Sequence, residues 1–408
     1  MARPAPEEHM TFLHRARRFA AVCVAAASLA AIAPAAALAA DPYEINVILS
    51  LTGYVAFVGT EQRQALTALE TYVNKTGGIG GRPLKFVIAD DQSNPQVTVQ
   101  LGRALLAKRV PLILGPTGPD TCAALTPLVA ADGPLLYCFA PTGQAAPGGY
   151  VFLTQYAGES GMAVLIRYLR ERGLHKIAFI ASTDAAGQDA ERALNAVLAR
   201  PENVNVGVVT RQHFGTSDIS VAAQMAAIKA ASPDALIAWS AGTAAGTLFR
   251  GIHDAGVDVP TVTSAANLNA IFFKNFGAIV PKDLYFNAVP YYGADVVTNP
   301  ATKTALATMT SALAAAGAKP DQIEISAWDP ATIVIDALRK LGADASAAQL
   351  RAYLLTLKGW AGVNGPYDFT RFPQRGLGEN SVVVVKWNLD AGTASAVSRF
   401  GGAPLPGK

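Results

Sequence analysis

The stretch EINVILSLTGYVAFVGTEQRQALTALETYVNKTGGIGGRPLKFVIADDQSNP, residues 44–95, decides the fold. It opens with the β-branched run EINVILS, passes through a polar loop to Thr60, and shows helical apolar spacing from Gln62 to Asn74. GGIGGRP (Gly77 to Pro83) places glycines where a helix end and a tight turn need left-handed backbone, and a second strand is expected over Leu84 to Ala89. DDQSNP (Asp90 to Pro95) then begins a helix running to Lys108, with Asn94 as N-cap and Pro95 in the first turn, where its missing N–H is not needed. Strand, helix, strand, helix is the grammar of a parallel sheet covered by helices.

The same grammar continues. PLILGP (Pro111 to Pro116) leads through TGPDT into a helix near Ala123, and PLLYCFA (Pro134 to Ala140) is the next strand. A second series starts with a helix from Gly161 to Arg172, then the strand KIAFIAS (Lys176 to Ser182), a helix from Gln188 to Ala199 and a strand from Val204 to Arg211. Helices at Asp218 to Ala231 and Ala244 to Ala255 alternate with strands at Asp234 to Ser240, Pro260 to Ser264 and Leu284 to Ala288. Two doubly wound parallel sheets are therefore expected. Helices at Pro300 to Ala315, Ala331 to Leu341 and Ala347 to Leu357 need a surface to cover and are assigned to the first lobe, which frees the strand SVVVVKW (Ser381 to Trp387) to return to the second.

Before this pattern begins, Arg15, Arg17 and Arg18 precede an uncharged, Ala-rich run from Phe19 to Ala33 that ends in small residues at Ala37 and Ala39. The run, about 15 residues, is shorter than the roughly 18–20 a membrane-spanning helix needs, so residues 1–40 read as a secretory signal cleaved after Ala39 or Ala40. Cys23 stands ahead of any cleavage site, which argues against a lipid anchor. The mature chain is therefore expected to leave the cytoplasm. The whole chain has 33 Lys plus Arg against 30 Asp plus Glu, a balance that argues against a nucleic-acid partner. Outside the leader, Cys122 and Cys138 are either a disulfide or two buried thiols; the bridge is expected, because both fall near the carboxyl ends of neighbouring strands.

Catalytic signatures are missing from the sequence. It has no G-x-S-x-G elbow and no P-loop, and its glycine cluster follows a helix and precedes a strand, the reverse of a dinucleotide-binding turn. His175, His213 and His253 lack metal-ligand spacing. The reading is of a protein that is not an enzyme, with no cofactor and no metal.

In order along the chain, SLTG (Ser50 to Gly53), GGIGGRP, DDQSNP, ILGPTG (Ile113 to Gly118), SDISVAAQMAAIKAASPDALI (Ser217 to Ile237) and NGPYDF (Asn364 to Phe369) resemble the periplasmic solute-binding proteins of the leucine/isoleucine/valine type, which feed ATP-driven importers. The resemblance implies an α/β protein with two Rossmann-like lobes, residues 41–157 plus 290–379 and residues 158–289 plus 380–408, joined by three hinge crossings near Tyr156, Val289 and Asn380. It implies a monomer that closes over a small-molecule ligand and hands it to an ABC permease and ATPase complex; delivery to a chemoreceptor is the alternative.

Ligand contacts in such proteins come from loops at the carboxyl ends of strands, as open α/β sheets require. Here those loops carry Phe57; Thr117, Gly118 and Pro119; Pro141 and Thr142; Asp184 and Ala186; Thr243; and Ala265 and Asn267. Thr117, Gly118 and Thr142 match positions that hold an amino acid's carboxylate. The position that pairs with its ammonium is Ala265 here, and Ala186 stands where a tyrosine is frequent, so a carboxylate without an α-amino group is expected, with an aromatic acid favoured. Asp184 either meets a polar group on the ligand or caps a helix, Phe57 either stacks on a ring or sits in the core, and Tyr156 is read as structural.

Overall fold

The computed structural model describes residues 1–2, 41–129, 131–141 and 143–407, so the expected secretory leader and Thr142 lie outside the described residues. β1 (Tyr43–Leu49) is the centre of the first sheet. From its carboxyl end α1 (Ala56–Lys75) carries the chain back to β2 (Leu84–Asp90), which pairs parallel with β1, Tyr43 opposite Leu84. α2 (Pro95–Ala107) crosses to β3 (Leu112–Leu114) on the other side of β1, and α3 (Pro119–Val129), β4 (Leu135–Cys138) and β5 (Val151–Leu153) complete an all-parallel sheet of order β2-β1-β3-β4-β5.

α4 (Gly158–Glu171) begins the second unit, followed by β6 (Lys176–Ser182), α5 (Ala185–Leu198), β7 (Gly207–Phe214), α6 (Ala222–Ala230), β8 (Ala235–Trp239), α7 (Gly242–Asp254), β9 (Thr261–Thr263), α8 (Ala270–Phe276) and β10 (Leu284–Ala288). The parallel part, β7-β6-β8-β9-β10, repeats the order of the first sheet. The chain then builds α9 (Pro300–Ala315), α10 (Gln322–Leu341), α11 (Ala347–Thr356) and a hairpin of β11 (Lys358–Gly362) and β12 (Gly365–Asp368). It ends in β13 (Val383–Asn388) and β14 (Thr393–Ala396), added antiparallel beyond β10. The fold is α/β with two lobes, and the expectation of two purely parallel sheets is corrected: the second is mixed. Both faces of the inner strands are covered, and after Lys176 every residue of β6 is buried.

α9 and α10 pack along α1, and α11 reaches β4 of the first sheet. NGPYDF has a clear structural role. The buried carboxylate of Asp329 on α10 accepts from the backbone N–H groups of Val363 and Asn364 at 2.9 and 2.8 Å, from Asn364 Nδ2 at 2.9 Å and from the Tyr367 hydroxyl at 3.0 Å. The hairpin turn is thereby tied to the helix.

Several helices start earlier than their sequence suggests, and these starts lie at the cleft. α1 begins at Ala56, six residues before Gln62, because Gly59 is a helical residue in close approach to β1: a Cβ there would collide with the Ser50 carbonyl. Gly187 repeats the device in α5, against the Ser182 carbonyl. α10 begins at Gln322 and runs through Pro330, stabilised by a capping box in which Asp321 accepts from Ile323 N and Glu324 accepts from Asp321 N. α6 is shorter than expected and β7 lies three residues later, after a 3-10 turn at Pro201–Asn203. Short strands β5, β11, β12 and β14 carry too little apolar pattern to be read in advance.

Candidate functional site

A cavity of about 690 Å³ opens where the carboxyl ends of both sheets meet, within the range that encloses a small organic molecule. Phe57, Thr117, Gly118, Pro119 and Pro141 line it from the first sheet's loops, and Ala186, Thr243, Ala265 and Asn267 from the second's. Asp184 is not among the lining residues. Its carboxylate caps α5, accepting from Gly187 N at 3.0 Å and from the Ser182 hydroxyl at 2.9 Å.

The first wall is polar and already paired. The Thr117 hydroxyl accepts from Ser50 N at 3.1 Å and donates to Gln62 Oε1 at 2.8 Å; Gln62 Nε2 donates to Ser326 Oγ at 3.1 Å, and Ser326 Oγ donates to the Ile323 carbonyl at 2.6 Å. This relay explains a glutamine on α1 that is only 1% exposed. Gly118 N–H points to the Thr121 hydroxyl at 3.2 Å. Above the relay Phe57 is 51% exposed, a cavity-wall residue rather than a core one. Cys122 on α3 and Cys138 on β4 are bridged, pinning the start of α3 against the neighbouring strand.

The second wall is arranged otherwise. Asn267 braces two strand ends, its Nδ2 donating to the Ser240 carbonyl at 2.8 Å and to Thr263 Oγ1 at 3.2 Å, while Ala265 N donates to Asn287 Oδ1 at 3.2 Å. Ser240 is 1% exposed and its hydroxyl has no partner. Beside it α7 starts at Gly242 with no side-chain cap from Ala241, and Thr243 is exposed to the cavity. α4 also reaches the cavity without a side-chain cap, whereas at the start of α1 the N–H groups of Ala56 and Val58 are taken by the carbonyls of Gly53 and Val55 at 3.3 and 3.0 Å. Uncapped starts leave N–H donors free and carry the positive end of the helix dipole.

Six rings face the space, from Phe57, Phe139, Tyr156, Trp239, Phe272 and Phe276, and Asp189 is the one charged side chain among the described lining residues. Asp189 Oδ1 accepts from Arg192 at 2.8 Å. Sequence reasoning missed Asp189, although it stands three residues after Ala186 and so on the same helical face. Trp239 and Ser240 escape it because the strand is expected to run through Ser240, which puts the ligand loop after them, and Phe272 and Phe276 because α8 is not expected. Tyr156 is both structural and lining: its hydroxyl donates to the Asn287 carbonyl at 3.4 Å, and its neighbour Gln155 is held at φ +60°.

Two charged features flank the cavity. Arg375 is largely buried and donates to the carbonyls of Pro141, Gly143 and Thr154 at 2.9, 3.1 and 3.1 Å, fixing the loop after β4; burial brings its pKa down to about 10, so it stays cationic. Glu61, Asp321 and Glu324 cluster where α1 meets α10. Burial, reinforced by Asp321, pushes Glu61 up to about 7 and Glu324 up to about 9, so Glu324 keeps its proton at neutral pH. His175, His213 and His253 are not among the described lining residues: His213 Nε2 is 2.8 Å from Glu191, His253 Nδ1 is 3.0 Å from Asp254, and His175 uses its backbone N–H on Asp234.

Among solved structures, an extracellular ligand-binding receptor from Rhodopseudomonas palustris HaA2 superposes with a TM-score of 0.74 at 23% identity, covering 87% of this chain and 99% of its own. The branched-chain amino acid transporter substrate-binding protein LivJ from Streptococcus pneumoniae, in complex with isoleucine, gives 0.71 at 17% identity, covering 88% and 99%. In sequence, the Leu/Ile/Val-binding protein homolog 3 of Brucella melitensis is 24% identical over 316 residues, 76% of this chain and 82% of the relative. No helix among the described residues is long and apolar enough to cross a membrane. Residues 42–394 match the periplasmic binding protein family, and the chain belongs to that family, whose members bind solutes rather than transform them.

Proposed function

We propose that this chain is the periplasmic solute-capturing subunit of an ABC importer, and that it closes its two lobes over one small organic carboxylate and presents it to the permease. The lobes would comprise residues 41–157 plus 290–379 and 158–289 plus 380–408, turning about crossings near Tyr156, Val289 and Asn380. The observation that carries the ligand class is the cavity wall: six aromatic rings, no basic side chain among the described lining residues, and the uncapped starts of α4 and α7 as the available donors. Rings of this number favour a flat apolar body, and neutral N–H donors at helix starts suit a carboxylate.

Relatives are named for leucine, isoleucine and valine, and such an amino acid needs a partner for its ammonium. Ala265 offers none, and the carboxylate of Asp189 is already paired with Arg192. An aromatic acid is therefore favoured over an α-amino acid. A thermal-shift panel of α-amino acids, aliphatic acids and aromatic acids such as benzoate and 3-phenylpropanoate tests the reading. Aromatic acids should raise the melting temperature, since a ligand at a hundred times its Kd adds about 2.7 kcal/mol. Stabilisation by leucine or another α-amino acid alone would overturn it.

A further inference from the structure

We propose that the ligand's carboxylate is seated on the second lobe, at the start of α7, by the Ser240 hydroxyl and the N–H groups of Gly242 and Thr243, and not on the first-lobe positions Thr117 and Gly118. This rests on the reading that the ligand is a carboxylate, and adds which end of it meets which wall.

Two independent observations lead there. The first is a buried polar group without a partner. Ser240 lines the cavity at the end of β8, is 1% exposed, and its Oγ finds no hydrogen-bond partner, whereas its carbonyl is already taken by Asn267 Nδ2. A buried hydroxyl left unpaired is unfavourable by an amount comparable to a lost hydrogen bond, so the fold gains when a partner is supplied to it. The second is the adjoining backbone. Gly242 sits at φ +63° and is followed directly by the helical turn of α7, thirteen residues long and without a side-chain cap. A left-handed residue leading into a right-handed turn aims successive N–H groups at one point, the arrangement that receives an anionic oxygen. A Cβ on Gly242 would meet nothing within 4 Å, so close packing does not account for a glycine there; the backbone conformation does.

On the opposite wall the same kinds of group are spent. The Thr117 hydroxyl both accepts and donates within the fold, and Gly118 N–H is directed to Thr121 Oγ1. A carboxylate arriving there would have to displace Gln62, which would in turn loosen Ser326. With the acid group at Ser240, the ring of the ligand lies among Trp239, Phe272 and Phe276 of the same lobe and faces Phe57 across the cleft.

The test is calorimetric titration of matched acid and amide pairs, benzoate with benzamide and 3-phenylpropanoate with 3-phenylpropanamide, into the wild-type protein and into Ser240→Ala, Thr243→Val and Thr117→Val. The wild type should prefer acid over amide. Ser240→Ala should weaken acid binding about ten- to a hundredfold, the range for a hydrogen bond to a charged group, while changing amide binding far less. The unliganded Ser240→Ala protein should melt at or above the wild-type temperature, because the hydroxyl removed had no partner. An acid preference that survives in Ser240→Ala, or that disappears only in Thr117→Val, overturns the second-lobe seat and leaves the carboxylate reading standing. A wild type that binds no acid more tightly than its amide overturns both.

Discussion

The two walls of the cleft are built from the same kind of unit and finished differently. Each has a sheet of the same strand order, a serine at the end of its first strand, and a glycine that lets the next helix start close to that serine: Ser50 with Gly59, Ser182 with Gly187. In the first lobe the polar groups are closed into a relay from Ser50 N through Thr117 and Gln62 to Ser326. In the second, Ser240 and the start of α7 are left open. The lesson is that topology places donors at a cleft, but the internal accounting of hydrogen bonds decides which of them a ligand can use.

The largest effect should come from breaking the first lobe's clasp. Asp329→Ala removes the acceptor of four hydrogen bonds and leaves buried N–H and O–H groups of Val363, Asn364 and Tyr367 unpaired, a loss of about 3–5 kcal/mol in urea unfolding. Next is the disulfide, which has no counterpart among the described residues of the second lobe. Cys122→Ala with Cys138→Ala opens a loop of 16 residues and should lower stability by about 3 kcal/mol. Because the bridge also pins the start of α3, next to the cavity residues Thr117, Gly118 and Pro119, the double variant should bind ligand more weakly, and an unchanged unfolding midpoint would refute the assignment of the bridge as a staple.

The relay itself sharpens the comparison. Thr117→Val strips Ser50 N and Gln62 of a partner and should destabilise the unliganded protein by about 1–3 kcal/mol, whereas Ser240→Ala, which removes an unpaired buried hydroxyl, should leave its stability unchanged or raise it. Equal losses would mean that the two walls are finished alike.

The smallest effect concerns pH. Glu61 and Glu324 titrate in the fold at about 7 and about 9, above the ordinary glutamate value of 4.5. A raised carboxyl pKa means that the fold prefers the protonated form, so this contribution is complete below the unfolded value and is lost as pH rises through about 7 and about 9. The melting temperature should fall by a few degrees between pH 6 and pH 10, and Glu324→Gln, which cannot ionise, should flatten the upper part of that decline. An unchanged slope in Glu324→Gln would contradict the assignment.

Much of this was legible in the sequence because it is carried by periodicity. Alternating β-branched runs and helical spacing gave both lobes, and the return of SVVVVKW to the second lobe followed from having helices without strands to cover. The helix starts at the cleft were not legible, because glycine has two uses: Gly59 was read as a loop residue, while in the fold its missing Cβ admits a helix. Of the candidate site, Phe57, Thr117, Gly118, Pro119, Pro141, Ala186, Thr243, Ala265 and Asn267 do come to one cavity, as strand-end loops must in an open α/β sheet. What single positions could not show is saturation. Thr117 and Ser240 are both small hydroxyl residues near strand ends, and only three-dimensional partners distinguish the committed one from the free one.

A crystal structure of the protein with 3-phenylpropanoate bound tests the central claim most directly. The carboxylate oxygens should lie within hydrogen-bond distance, roughly 2.6–3.1 Å, of Ser240 Oγ and Thr243 N, with the Thr117–Gln62 bond intact. A carboxylate seated instead on Thr117 and Gly118, with Ser240 Oγ still unpartnered, would contradict it.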